Sequence, residues 1–414
     1  MGIKRVLCGM LAAVFMCYTV PASDGQIEIE TISMPTGDLA KIPLSRPMER
    51  LSSQDVDDIT VRMAEYSPGT KKLLRNNAPH FYYYENLDPV SKEIYDVLYG
   101  ICEDPVSEGN IGVMMTDMDP DSEKYYYLFN KAVYALKYDH PELFWLYSME
   151  EVNIGYGSEA ILQNGFYLVY FQMAKPFYNF ESQMTDFNNA VDVFLSDIDQ
   201  SGSEYNTILQ IHDKLSELVT YDDLVAEGIT PAMFGLDLAH TAFGALVRDS
   251  AGNPNYAVCD GYSLAFEYLL QQCGINAVFM GGYGGASEET AGGHAWNEIQ
   301  MNGDWYEVDV TWDDHGSLLD HIPPEREDYD LYAEALSDIE YRNKIDHYMF
   351  LISTDSIRNF VPGDKYLFTS RQGYQYSLVN NSVHIRFNEA EKDLWGIDPD
   401  CELFAAVPAG TINY

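Results

Sequence analysis

Positive charge is what this chain lacks most. Its 414 residues hold 24 Lys and Arg against 65 Asp and Glu, a formal net charge of −41 at pH 7. A surface so acidic repels phosphate backbones and anionic headgroups, so nucleic acid and membrane are set aside as partners. It favours solubility, and the ligands it attracts are cationic partners and divalent ions. Apolar runs of membrane-spanning length are missing as well. The run Val6–Val20 has 15 residues, where a spanning helix needs about 20. No internal repeat and no low-complexity tract is present, which excludes a repeat array. Cysteine is sparse, at 6 residues. Hydrophobic residues make up 46% and aromatic residues 14%, with 32 Tyr, enough for sizeable cores and for two or more domains.

The N-terminus reads as a secretory signal peptide of residues 1–22. Lys4 and Arg5 precede the apolar run, and Val20-Pro21-Ala22 supplies small residues before Ser23. A released, extracellular protein of bacterial origin is therefore expected. Removing Cys8 and Cys17 with that segment leaves Cys102, Cys259, Cys273 and Cys401. An oxidising location permits a Cys102–Cys401 bridge without requiring one. Cys273 reads as a core thiol.

Residues 23–80 are polar and read as a linker or loosely packed extension. Residues 81–200 read as a mainly helical N-terminal domain. Asp88-Pro89 is a helix start, with the stripe Val90, Ile94, Val97, Leu98 and Ile101 behind it. A loop rich in Asp and Gly follows, then helices near Ser122–Lys137, Asn179–Asp197 and Glu204–Leu218, with one strand over Gly165–Gln172. His140 and Glu142 read as part of a turn before a buried aromatic anchor rather than as ligands. His212 lies on an apolar helix face and reads as a core histidine; His240 also reads as structural. The acidic loops Asp197–Gly202 and Asp117–Ser122 tempt a calcium reading. The first has Ile208 where a bidentate Glu is needed, and the second has Ser122 in place of the glycine, so solvated turns are expected. No cofactor is called for, and calcium stays a weak option. Residues 201–360 form the candidate catalytic core, and 361–414 a small C-terminal region with a hairpin near Gly373.

The chemistry concentrates in residues 254–314. Apolar residues at Leu264, Ala265, Tyr268, Leu269 and Cys273 have helical spacing, and Gly274 ends them. Cys259 therefore sits at a helix N-terminus, where free N–H groups and the helix dipole favour a thiolate and an oxyanion. His294 opens an alternating strand, and Asn302-Gly303 is a hairpin signal. The return strand is expected over Asp304–Trp312, with Asp309 inside it. The hairpin brings His294 and Asp309 near one another; whether they share a face is a matter of register. A thiol needs a base to become a strong nucleophile, and a carboxylate on the base's far nitrogen sets its tautomer.

The runs Val-Cys-Asp-Gly-Tyr-Ser (258–263), Gly-His-Ala-Trp-Asn (293–297) and Trp-Tyr-Glu-Val-Asp-Val-Thr-Trp-Asp-Asp (305–314) closely resemble the core of the transglutaminase-like superfamily. The resemblance implies an α+β, papain-like core in which the nucleophile's helix packs on an antiparallel sheet. By that resemblance Cys259 is the nucleophile, His294 the base and acid, and Asp309 the orienting carboxylate. A secreted cysteine enzyme acting on amide or peptide bonds through a thiol acyl-enzyme is then expected, with a protein or peptide as substrate and hydrolysis favoured. Acyl transfer to an amine, and a non-catalytic binding or structural module that keeps the fold, remain alternatives.

Overall fold

Several helices of this chain begin where a short polar side chain takes up unpaired N–H groups of the first turn. Asp88 does so for α1, Pro89–Cys102: its Oδ1 accepts from the N–H groups of Val90 and Ser91 at 3.1 and 3.0 Å. Ser122 caps α2, Glu123–Asp139, accepting from Tyr125 N–H at 3.2 Å. Helix α3 spans Phe180–Ser196. Ser203 caps α4, Glu204–Leu218, accepting from Asn206 N–H at 3.3 Å. The structure, a computed structural model, describes residues 19–21, 27–29, 81–102, 111–146, 154–161, 166–173, 180–226, 238–247, 255–314, 347–361, 367–369, 375–377, 381–387 and 399–414. The signal-peptide and linker readings fall almost wholly outside these, as does the acidic loop after Asp314.

Beside the N-terminal helices lies a three-stranded antiparallel sheet, where the sequence reading expects one strand. It consists of β1 (Ile111–Thr116), β2 (Ile154–Ile161) and β3 (Phe166–Met173), in the order β1-β3-β2. Only β3 has a continuous run of β-branched and aromatic residues. Gly112 interrupts β1, and Gly155 and Gly157 interrupt β2, which removes the strand signal that propensity would carry.

The second half is organised on a four-stranded antiparallel sheet, order β6-β5-β4-β7. Its strands are β4 (Asn276–Gly285), β5 (Gly292–Met301), β6 (Asp304–Val308) and β7 (Val383–Arg386). Helix α5, Cys259–Gln272, packs across β4 and β5. Leu264, Phe266, Leu269 and Leu270 are buried along it, each worth roughly 1.5–3 kcal/mol of burial. The helix ends as its sequence requires. Gly274 takes φ +76°, and Ile275 N–H reaches back to Leu270 O at 3.0 Å. The β5–β6 turn is Asn302-Gly303, with φ of +55° and +91°, the two left-handed residues a tight hairpin demands.

The β6 strand stops four residues earlier than its alternation suggests. Asp309 leaves the ladder and caps a short helix, α6, Val310–Asp313, with Oδ1 accepting from Trp312 N–H at 3.1 Å. An aspartate able to satisfy local backbone donors competes with the ladder in this way. Edge pairing passes to another segment: Glu307 and Ile352 exchange N–H···O bonds of 2.8 and 3.1 Å, and Asp309 N–H donates to Met349 O at 3.0 Å. At the opposite edge β7 arrives from the C-terminal region, where residues 367–369 and 375–377 also pair as a hairpin. Helix Pro399–Ala406 packs on α2, with Lys131 Nζ 2.7 Å from Glu402 Oε1.

A buried guanidinium ties β7 in place. Arg386 donates to Glu298 and, at 2.8 Å, to Glu307, both fully buried, and Trp296 Nε1 donates to Glu307 at 2.7 Å. Burial and the neighbouring Glu307 push Glu298 well up, while Arg386 outweighs burial to hold Glu307 down. One cation therefore serves two acids. Arg386→Met leaves those acids without it and is expected to cost about 3–5 kcal/mol. The check is urea unfolding at pH 7; a change under 1 kcal/mol would contradict it.

Candidate active site

Cys259 is the first residue of α5, and the preceding Val258 offers no side-chain cap. The thiol takes its contacts from backbone instead. The backbone N–H groups of Ala295 and Asp260, one residue past His294 and one past Cys259, act to lower its pKa. Burial and the Asp260 carboxylate push the thiol well above its usual range, against the pull of those two N–H groups. Asp260 in turn holds His240, whose Nδ1 lies 2.8 and 2.7 Å from its two carboxylate oxygens.

His294 lies on β5, paired with Gly282 of β4. Its ring stacks on Trp312 at 4.7 Å and 24°. The close approach needs Gly284, where an added Cβ would sit 2.9 Å from His294 Cδ2 and 3.0 Å from Trp312 Cζ2. Register answers the question of faces. Glu307 pairs with Glu298, so Asp309, two residues on, lies on the face of Glu298, Trp296 and His294. His294 Nε2 is 2.7 Å from Asp309 Oδ2. The other ring nitrogen, Nδ1, is buried without a hydrogen-bond partner. The structure thus joins His294 to Asp309, and it places Cys259 at the first position of the helix that packs across β5. Cys259 is 1% exposed, and His294 and Asp309 are 0% exposed.

A fourth residue belongs to the same cluster. His384 on β7 places Nε2 3.0 Å from the same Asp309 oxygen, with its ring 4.3 Å from Trp312 and 5.0 Å from Trp296. Burial lowers its pKa, which favours the neutral ring. Asp309 therefore receives two imidazoles and one backbone N–H. Those partners outweigh its burial and keep it far below the ordinary carboxylate range. Sequence reasoning missed His384 because strand logic pointed the other way. In Val383-His-Ile-Arg the apolar residues promise the core face, yet His384 and Arg386 are the buried pair. The polar alternation was the available signal.

The other sequence candidates lie in distinct surroundings. His140 is boxed by the rings of Phe81, Tyr95 and Tyr99 and bonds Glu142 at 2.7 Å, an arrangement of packing. In the loop 197–202, Asp199 accepts from both N–H and Oγ of Ser201, and Asp197 pairs with Lys214 at 2.8 Å. In the loop 117–122, Asp119 accepts from Asp121 N–H at 3.0 Å. Trp296 and Trp312 pack against the cluster, whereas Trp305 lies against Tyr82 at 5.2 Å.

Residues 196–310 match the Transglutaminase-like superfamily, a span that holds Cys259, His294 and Asp309. Over 61 residues the chain is 36% identical to kyphoscoliosis peptidase of Mus musculus, a stretch of 13% of this chain and 9% of that protein. A crystal structure of a TGase is 11% identical, with 54% of this chain and 55% of that one covered at a TM-score of 0.25. A proposed cysteine protease from Cytophaga hutchinsonii is 14% identical, with 38% and 62% covered at a TM-score of 0.22. The chain spans less than two thirds of each of these relatives.

The depressed Asp309 pKa sets a sign for stability against pH. A carboxyl lowered by folding adds stability that is complete above its unfolded value, about 3.9, and is lost as pH falls toward the folded value. Asp309→Asn cannot titrate and loses the ionic acceptor of three donors. It is expected to be less stable by about 2–3 kcal/mol at pH 7, with the gap to wild type narrowing below pH 4. Urea unfolding at pH 7, 5 and 3.5 checks this; a gap constant with pH would refute the assignment.

Proposed function

We propose that the transglutaminase-like domain at residues 196–310 makes this chain a cysteine-dependent enzyme that breaks peptide or amide bonds through an acyl-enzyme, outside the cell. The observation that carries the reading is the buried His294–Asp309 bond, which leaves His294 Nδ1 without a hydrogen-bond partner on the sheet where the helix that begins at Cys259 packs. Asp309 at Nε2 selects the tautomer whose lone pair is on Nδ1. Nδ1 takes the Cys259 Sγ proton as the sulfur attacks the substrate carbonyl carbon. The N–H groups of Asp260 and Ala295, which favour charge on the sulfur, would be the donors for the developing oxyanion. The C–N bond breaks, Nδ1 returns the proton to the departing amine, and a thioester remains. Water, deprotonated by Nδ1, attacks that thioester and releases the acid and the thiol.

The likeness to a peptidase supports hydrolysis. An amine in place of water would give a cross-link by the same steps. One observation favours a different reading, a non-catalytic module. All three side chains are buried, and the thiol is held protonated by its surroundings. Catalysis thus requires the cleft to open to substrate.

Iodoacetamide labelling of the folded chain, read by peptide mass spectrometry across pH 5–10, separates these readings. Selective alkylation of Cys259 that disappears in His294→Ala is expected for the enzyme. A thiol inert until denaturation would favour the module. Turnover of fluorogenic peptide amides, with and without cadaverine, then distinguishes hydrolysis from transfer. Cys259→Ala is expected to lower either rate by at least about 10³-fold.

His384 acts through Asp309 and is a positioning residue. His384→Ala is expected to lower kcat about 10-fold with little change in KM and to shift the acid limb of the kcat profile. His384→Gln, which keeps an N–H donor, should recover most of the loss. An unchanged pH profile in His384→Ala would remove it from the mechanism.

A further inference from the structure

A second histidine–carboxylate cluster lies at the C-terminal end of α6. His212 of α4 is fully buried, with Nε2 3.2 Å from Asp313 Oδ2 and Nδ1 3.1 Å from Asp213 Oδ1. His347 brings Nε2 to 2.7 Å from the same Asp213 oxygen. His212 Nδ1, Asp213 Oδ1 and His347 Nε2 all lie within 4.8 Å of one another. The apolar stripe of α4 gives no reason to bury an imidazole there, and the proposed mechanism does not use it.

We propose that His212, Asp213 and His347 form a binding site for one divalent transition ion of the zinc type. Two imidazoles and a carboxylate are a donor set that zinc accepts, with water completing a tetrahedron. Donor atoms around tetrahedral zinc stand about 3.4 Å apart. The separations here of 3.1 and 2.7 Å therefore need to open by about 0.3 and about 0.7 Å.

The surroundings point the same way. A metal-bound imidazole is usually oriented by a carboxylate on its other ring nitrogen. Asp313 occupies that position on His212, is itself fully buried, and is fixed by accepting Met349 N–H at 3.0 Å. Access comes from the opposite side, where the side chains of His347 and Asp213 are 41% and 36% exposed. A proton competes for the site. Burial opposes a charge on His212, but the two carboxylates prevail and raise it to about 9, so uptake must expel a proton.

The ion would join α4 to the segment that begins at His347. That segment's Met349 accepts Asp309 N–H and donates to Asp313, and its Ile352 pairs with Glu307. A metal here is a structural staple behind the carboxylate of the candidate active site, without contact with the reacting atoms.

The test uses the full chain, stripped with EDTA and dialysed at pH 8 against micromolar zinc. One equivalent retained by elemental analysis is expected, with a Tm rise of roughly 5 °C at a hundredfold excess over Kd. Cobalt in place of zinc should give the visible absorption of a tetrahedral site. His347→Ala changes an exposed side chain, so its metal-free Tm should match wild type. It should lose the equivalent, the Tm rise and the cobalt spectrum; Asp213→Asn should weaken uptake at least about tenfold. No equivalent retained by the wild type, or equal uptake by His347→Ala, would overturn the site. Neither result depends on the activity of Cys259.

Discussion

The Asp309 carboxylate is the point on which the second half of the molecule turns. It accepts from His294 on β5, from His384 on β7 and from the backbone of Trp312 in α6. Two of those donors come from strands that never touch, since β4 separates β7 from β5. A buried carboxylate without partners would be costly enough to take up a proton instead. With three donors it stays ionised, and each donor is fixed in return. The same anion therefore decides where β6 ends, where the C-terminal strand docks, and which nitrogen of His294 is left for chemistry.

The charge arrangement extends outward in the same manner. Arg386 stands two residues from His384 and bridges Glu298 and Glu307, while Trp296 donates to Glu307. Trp296 also lies against His294 and His384. The His294 ring is thus held by aromatic faces and by the Asp309 carboxylate, with little freedom to rotate. Buried ion networks of this kind seldom add net stability over apolar packing, but they penalise any other arrangement strongly. Here that selectivity keeps β7 in the one register that presents His384 to Asp309.

Much of this was legible in the sequence. The helix after Cys259, the Asn302-Gly303 hairpin and the nearness of His294 to Asp309 follow from period, turn chemistry and spacing, while the face the two share is set by the register. Local rules failed where a residue answered to distant partners. The end of β6 was misjudged because alternation through Trp312 says nothing of Asp309 capping its own turn. The sheet strands β1 and β2 were missed because glycines erase their propensity, while pairing with β3 supplies the order. His384 was invisible because 75 residues separate it from Asp309, and its strand buries the polar face. A sequence reader assigns the apolar face to the core, and only the ions of β5 and β6 reverse that choice.

The burial of the cluster bears on how a thiol here would be used. A shift of one pKa unit corresponds to about 1.4 kcal/mol, so a thiol raised well above its usual range resists losing its proton to bulk water. It need not resist losing it to His294. The orphaned Nδ1 is itself a polar atom deprived of solvent, and an imidazolium formed there is stabilised by the Asp309 anion behind it. Burial suppresses the lone thiolate but penalises an adjacent thiolate–imidazolium pair much less, because the two charges screen one another at short range. Under the proposed mechanism the resting state is a neutral thiol, and the reactive pair forms as a substrate carbonyl accepts the sulfur. In an oxidising environment the desolvation that raises the thiol's pKa also keeps it from oxidants in solvent.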